Sequence, residues 1–94
     1  IVCSDSTRVM GCDQRASTVD CSIAMSFMML AATAEGLGTC WIGGFTQEPL
    51  KEALGIPAEY DVVALTPLGY PAEEGRPRDR KPLEELVYKN GWKR

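Results

Sequence analysis

Hydrophobic and polar positions divide the chain into one long helical pattern and several short segments. Over residues 18–35 apolar side chains recur at helical spacing and extend almost all round, which predicts a long helix that is buried on most sides. Ser17 with Asp20 resembles a capping box, with Asp in place of the usual Glu or Gln, and predicts the start of that helix. Its apolar part is shorter than the ~20 residues that a bilayer requires. We therefore expect a core or subunit-interface helix and no membrane span.

Shorter apolar runs and turn residues predict the other elements. Residues 1–3 resemble the end of a buried strand, and 4–17 are polar and rich in turn residues, as in a loop. Thr46 can cap a short helix that Gly55 ends. The β-branched run 61–65 predicts a buried strand. Beyond it we expect a turn at 67–71, an extended segment at 72–82, and a short helix at 83–88 that docks through Leu83, Leu86 and Val87.

Composition restricts the class of protein. Ninety-four residues make one domain at most, and the net charge of −3 argues against nucleic acid as the main partner. The four cysteines form no CxxC pair and there is no histidine, so we expect free thiols in a reducing cytoplasm and no metal site. The first residues lack the pattern of a signal peptide. Because the chain opens inside a strand pattern, we expect it to be the C-terminal piece of a longer, cytoplasmic protein.

The segment that follows the long helix carries the first candidate site. Gly36 predicts the helix stop, since glycine adopts a positive φ without steric cost. Gly43 and Gly44 leave the backbone bare, so that a ligand can approach the N–H groups closely. Trp41 and Phe45 place aromatic surface on either side of this patch. A flat ligand that forms hydrogen bonds would suit such a place.

A basic run near the C-terminus carries the second candidate site. Arg76, Arg78 and Arg80 lie on one side of an extended segment, with Lys81 beside them. Two guanidinium groups at i and i+2 can converge on one phosphate, whereas the run taken alone favours a solvated basic tail. Since the chain has no histidine, Ser-His and Cys-His catalysis are excluded within it. We identify no catalytic residue, so any chemistry must come from a cofactor.

Taken in order along the chain, several motifs closely resemble the FMN-dependent nitroreductase family. The resemblance covers essentially the whole chain, which matches only the C-terminal half of a family member. The motifs are VDCSIA at 19–24, MLAA at 29–32, GLGTCWIG at 36–43, LGIP at 54–57, VAL at 63–65 with LGYP at 68–71, and RKPLEE at 80–85.

The resemblance implies an α+β fold, a mainly antiparallel sheet flanked by helices, present here as a partial domain. It implies FMN as cofactor, with NAD(P)H as hydride donor and a nitroaromatic, quinone or related small molecule as acceptor. The long helix would lie at a homodimer interface. In the family, the segment that matches Trp41, Ile42, Gly43 and Gly44 lies against the isoalloxazine ring.

In detail, the backbone N–H that matches Gly43 points at the flavin N5, and that of Gly44 lies near O4. The positions that match Arg78 and Arg80 bind the FMN phosphate. The family's N-terminal Arg-rich motif and most of the partner-subunit surface are absent from this sequence. Two alternatives therefore stay open: a catalytically silent fragment or interaction module that binds no flavin, and a phosphate- or nucleotide-binding module that uses the basic run.

Overall fold

The computed structural model describes residues 1–92 and confirms an α+β fold. Helices and short strands alternate along the described residues without a long sheet. Their bounds are β1 Val2–Ser4, α1 Ala16–Ala34, β2 Gly38–Thr39, α2 Gln47–Leu54, β3 Asp61–Ala64, β4 Leu68–Gly69 and α3 Leu83–Leu86.

The strands form two small antiparallel sheets that pack beside α1. In the first sheet β1 pairs with β3, with Val2 opposite Ala64 and a register shift between Val2 and Cys3. Val2, Ala64 and the fully buried Met25 of α1 make up the hydrophobic core. The core therefore depends on one face of α1 packed against two strand residues that are far apart in the sequence.

In the second sheet β2 pairs with β4, so the prediction of a turn at 67–71 is wrong for its middle residues. Gly38 lies opposite Gly69, and Thr39 opposite Leu68. A Cβ placed on Gly38 would lie 3.4 Å from the Cβ of Pro71 and 3.5 Å from the Gly69 carbonyl oxygen. These are ordinary contact distances, so Gly38 lies close against β4 and the residue that follows its neighbour Tyr70.

Helix α1 begins two residues earlier than predicted and without the predicted capping box. Arg15 is its N-cap residue and makes no side-chain capping bond, while Ser17 lies buried inside the first turn. The other end is confirmed: Gly36 has φ +77°, its N–H donates to the Thr33 carbonyl at 3.1 Å, and the Leu37 N–H donates to Ala32 at 2.9 Å. This is the hydrogen-bond pattern of a Schellman motif.

The prediction that α1 is buried on most sides is wrong for the described residues. Ile23, Phe27 and Leu30 are 51%, 68% and 68% exposed, since the narrow β1–β3 sheet covers only the face that carries Met25. By length and composition alone α1 is long enough to cross a membrane, a test that core helices of soluble proteins also pass. The outer apolar face of α1 is therefore exposed to solvent within residues 1–92.

The end of the chain also differs from expectation. Residues 72–82 carry no helix or strand, as predicted, and α3 is shorter than predicted. The prediction that α3 docks on the fold is wrong, because its apolar residues are largely exposed: Leu83 by 69%, Leu86 by 58% and Val87 by 48%. One helical turn offers little apolar area, and the extended segment before it leads away from the core.

Candidate functional site

The loop between β2 and α2 contains the glycine pair and is hydrogen-bonded to the residues that directly follow β3. The Cys40 N–H donates to the Thr66 hydroxyl at 2.9 Å. Ile42 and Leu65 exchange two backbone hydrogen bonds, of 2.8 and 3.1 Å. These three bonds fix the chain on the N-terminal side of the glycines.

Gln47, the first residue of α2, fixes the other side of the loop. Its side-chain Nε2 donates to the Val62 carbonyl at 2.7 Å, and the Val62 N–H donates to Gln47 Oε1 at 2.9 Å. Helix α2 is tied down further by the buried Lys51, whose Nζ donates to the Ala58 carbonyl at 3.0 Å and pairs with Glu48 at 3.3 Å. The predicted Thr46 cap is wrong in one respect, because Thr46 is the N-cap residue but makes no side-chain bond.

Between these hydrogen-bonded anchors the backbone of Gly43 and Gly44 is exposed. Both glycines are exposed, and their N–H groups donate to no acceptor within residues 1–92. A Cβ on Gly44 would meet nothing within 4 Å, and one on Gly43 would meet only Trp41 Nε1, at 3.8 Å. The loop therefore presents two free donors beside an indole edge, which fits a flat ligand with hydrogen-bond acceptors along one side.

The arginines lie elsewhere in the described structure. Arg78 and Arg80 are exposed, and the Arg80 guanidinium donates to the Asp79 carbonyl at 3.2 Å. Neither forms a hydrogen bond or ion pair with residues 41–44 among the contacts of the described chain. The β2–β4 ladder gives the reason: it is antiparallel, so the chain leaves β4 beside the start of β2, at the end opposite Trp41.

Two observations describe the cysteines and the potential metal ligands among residues 1–92. All four cysteines are free thiols, and no cluster of three or more metal-ligating side chains occurs in this range. Burial raises the pKa of the Cys21 thiol, and the neighbouring Cys3 and Asp20 raise it further. A raised thiol pKa disfavours the thiolate, which is the nucleophilic form.

Two residues that hold the loop could not be identified from the sequence. Thr66 and Gln47 bond to groups 26 and 15 residues away along the chain. A polar residue in the first turn of a helix, such as Gln47, is common for local reasons, and a threonine between two strands, such as Thr66, is equally ordinary. Neither position therefore carries a signal of its own in the sequence.

The chain matches the model of the nitroreductase family over residues 4–70. It is 43% identical over 65 residues to a protein named NADH dehydrogenase from Thermus thermophilus, an alignment that covers 69% of this chain and 32% of that protein. It is 41% identical over 59 residues to a putative NADH dehydrogenase/NAD(P)H nitroreductase from Archaeoglobus fulgidus, covering 58% and 34%. The chain thus spans about a third of the length of these relatives.

Solved structures of the same family have the same fold. A nitroreductase family protein from Clostridium novyi superposes with a TM-score of 0.68 at 43% identity, over 76% of this chain and 40% of that one. A second, from Clostridium difficile, superposes with a TM-score of 0.81 over 96% of this chain and 57% of that one; at 24% identity it shows the fold alone.

Proposed function

The chain belongs to the nitroreductase family, and we propose that it is the C-terminal portion of an FMN-dependent oxidoreductase. The complete protein would take hydride from NAD(P)H and reduce a nitroaromatic, quinone or related acceptor. The names of the relatives from Thermus thermophilus and Archaeoglobus fulgidus support a nicotinamide nucleotide as hydride donor.

The observation that carries this proposal is the open glycine pair. Gly43 and Gly44 offer two N–H groups that have no acceptor among residues 1–92, beside the Trp41 indole. A flavin edge has the acceptors that such donors require, and the absence of Cβ atoms lets the ring approach the backbone. We assign Trp41, Ile42, Gly43 and Gly44 to flavin binding.

Arg78 and Arg80 are proposed to bind the FMN phosphate. Their side chains are exposed and form no ion pair within residues 1–92, so both guanidinium groups can serve an anion. These arginines form no hydrogen bond or ion pair with residues 41–44. Direct contact is not required, because a ribityl chain separates the phosphate of FMN from its ring.

FMN, when bound, would supply the two-electron chemistry that the side chains of this chain lack. The donors at Gly43 and Gly44 would orient the ring, and the arginines would hold the phosphate. The exposed face of α1 supports a homodimer, or an N-terminal half of the protein, as the surface that covers Phe27 and Leu30. A cytoplasmic location is part of the same proposal.

The first test is the visible absorption spectrum of the purified, desalted protein, followed by identification of any flavin released by heat. A flavin spectrum with FMN released supports the proposal. Absence of a flavin signal, together with no quenching of FMN fluorescence on titration, would favour the silent fragment. Equal binding of FMN and of simple phosphate compounds would favour the phosphate-binding module.

A charge-matched pair of variants tests the phosphate assignment. Arg78→Ala with Arg80→Ala should raise the Kd for FMN by about tenfold or more, since each charge-assisted hydrogen bond contributes ~1.5–3 kcal/mol. The control is Arg76→Ala with Lys81→Ala, which removes the same charge from the same segment. Equal loss of affinity in both double variants would reduce the effect to net charge and remove the assignment.

A further inference from the structure

We propose that Gln47 is a positioning residue that holds the Gly43–Gly44 donors in place for the flavin. This inference rests on the proposed function. Gln47 is not assigned to the flavin ring or to the phosphate, and it acts through the backbone of the loop.

The side-chain amide of Gln47 satisfies two backbone groups of the buried Val62 at once. It donates to the Val62 carbonyl at 2.7 Å and accepts from the Val62 N–H at 2.9 Å. Only a side-chain amide offers a donor and an acceptor together in this arrangement, because a carboxylate only accepts and an ammonium only donates. Gln47 thus takes the place of a neighbouring strand beside Val62.

This pair of bonds closes the loop at its second end. Ile42 is bonded to Leu65, and Gln47 to Val62, so both anchors lie on the same strand or its continuation. Three residues of strand separate the anchors by about 10 Å, while the five-residue path from Ile42 to Gln47 could extend to about 17 Å. The path is therefore long enough to join the two anchors, and Gly43 and Gly44 between them are exposed.

The four residues between the anchors have no hydrogen bond that fixes the glycines directly. The Thr46 carbonyl accepts from the Leu50 N–H within α2, and Gly43 and Gly44 make no backbone bond within residues 1–92. Glycine has the greatest backbone freedom of any residue. Without the Gln47 anchor these donors would have to be ordered when the ligand binds, at the expense of affinity.

Gln47→Leu removes both bonds and retains the approximate volume of the side chain. Lys51→Met is the matched control, since it removes the Lys51 bonds to Ala58 and Glu48 on the same helix without touching the loop anchors. The measurement is 15N relaxation of the Gly43 and Gly44 amides in the full chain without FMN. Their mobility should increase in Gln47→Leu and stay as in the unaltered chain in Lys51→Met. Unchanged glycine mobility in Gln47→Leu would overturn the inference.

Titration with FMN supplies the second readout. The Kd should rise about tenfold in Gln47→Leu and less than twofold in Lys51→Met, even where the two variants have equal melting temperatures. If the unaltered chain binds FMN and Gln47→Leu binds it equally well, this role is wrong and the proposed function stands. If the unaltered chain binds no FMN, the role of Gln47 and the proposed function are both wrong. If Gln47→Leu does not fold, Gln47→Glu replaces it, because glutamate keeps only the acceptor for the Val62 N–H. The same results then support or contradict the role of Gln47.

Discussion

Gly43→Val separates the binding role of the glycine loop from any role in folding. Gly43 does not have a positive φ, and a Cβ at this position would meet only Trp41 Nε1, at an ordinary contact distance of 3.8 Å. Replacing a glycine whose conformation other residues can adopt reduces the freedom of the unfolded chain, an effect of about 0.4–1 kcal/mol. We therefore expect the free energy of unfolding to change by less than about 1 kcal/mol.

FMN binding should respond strongly to the same change. The valine side chain would stand where the flavin ring is proposed to approach the backbone, and would separate the Gly43 N–H from its acceptor. Loss of one hydrogen bond costs a net ~0.5–1.5 kcal/mol, and 1.4 kcal/mol is about tenfold in Kd. With the displacement of the ring added, we expect the Kd for FMN to rise at least about tenfold, measured by fluorescence quenching.

Two glycines elsewhere in the chain provide the controls. Gly11→Val places the same side chain at another open position with no atom within 4 Å. It should change stability by the same small amount as Gly43→Val and leave FMN binding unchanged. Gly55→Val forces valine into φ +66°, at a cost of about 1–3 kcal/mol, and should lower the melting temperature by about 4–8 °C per kcal/mol. Normal FMN affinity in a folded Gly43→Val variant would refute the assignment of this loop to the flavin.

The remaining predictions concern stability and thiol chemistry. Met25→Ala removes a fully buried side chain from the core and should cost about 2–5 kcal/mol, seen as a large drop in the urea midpoint; a change below about 1 kcal/mol would contradict this description of the core. Asp61→Asn breaks the 2.7 Å pair with Arg15, but both side chains are about half exposed, so it should cost no more than about 1 kcal/mol. Iodoacetamide should alkylate the exposed Cys12 before Cys21. Burial raises the pKa of the Cys21 thiol above its value in the unfolded chain. The contribution of this thiol to stability is therefore fully present below the unfolded pKa and is lost as the pH rises through the folded pKa. A free energy of unfolding that increases between pH 8 and 10 in the unaltered chain, but not in Cys21→Ala, would contradict this prediction.

The exposed face of α1 shows what a local pattern can and cannot predict. The apolar periodicity of residues 18–35 predicts a helix, and the structure has one over Ala16–Ala34. The same periodicity predicts burial on most sides, but Phe27 and Leu30 are each 68% exposed within this chain. Periodicity reports that a face is apolar and does not report which molecule covers it.

The sequence by itself determined the elements whose signals are local. The stop at Gly36 and the left-handed Gly55 follow from the freedom of glycine at positive φ, and the β-branched run predicts β3. The family could also be identified from ordered motifs, as could the bare backbone at Gly43 and Gly44, since the absence of a side chain is visible in the sequence itself.

Only the tertiary structure decided which distant residues meet. The pairing of β2 with β4 and the anchoring of Gln47 to Val62 each join positions 15 or more residues apart. Such pairs form because packing of α1 on β1 and β3 brings strand backbones together, and their hydrogen bonds then require partners wherever the fold places them. Local residue chemistry specifies each element, and the geometry between elements sets the site.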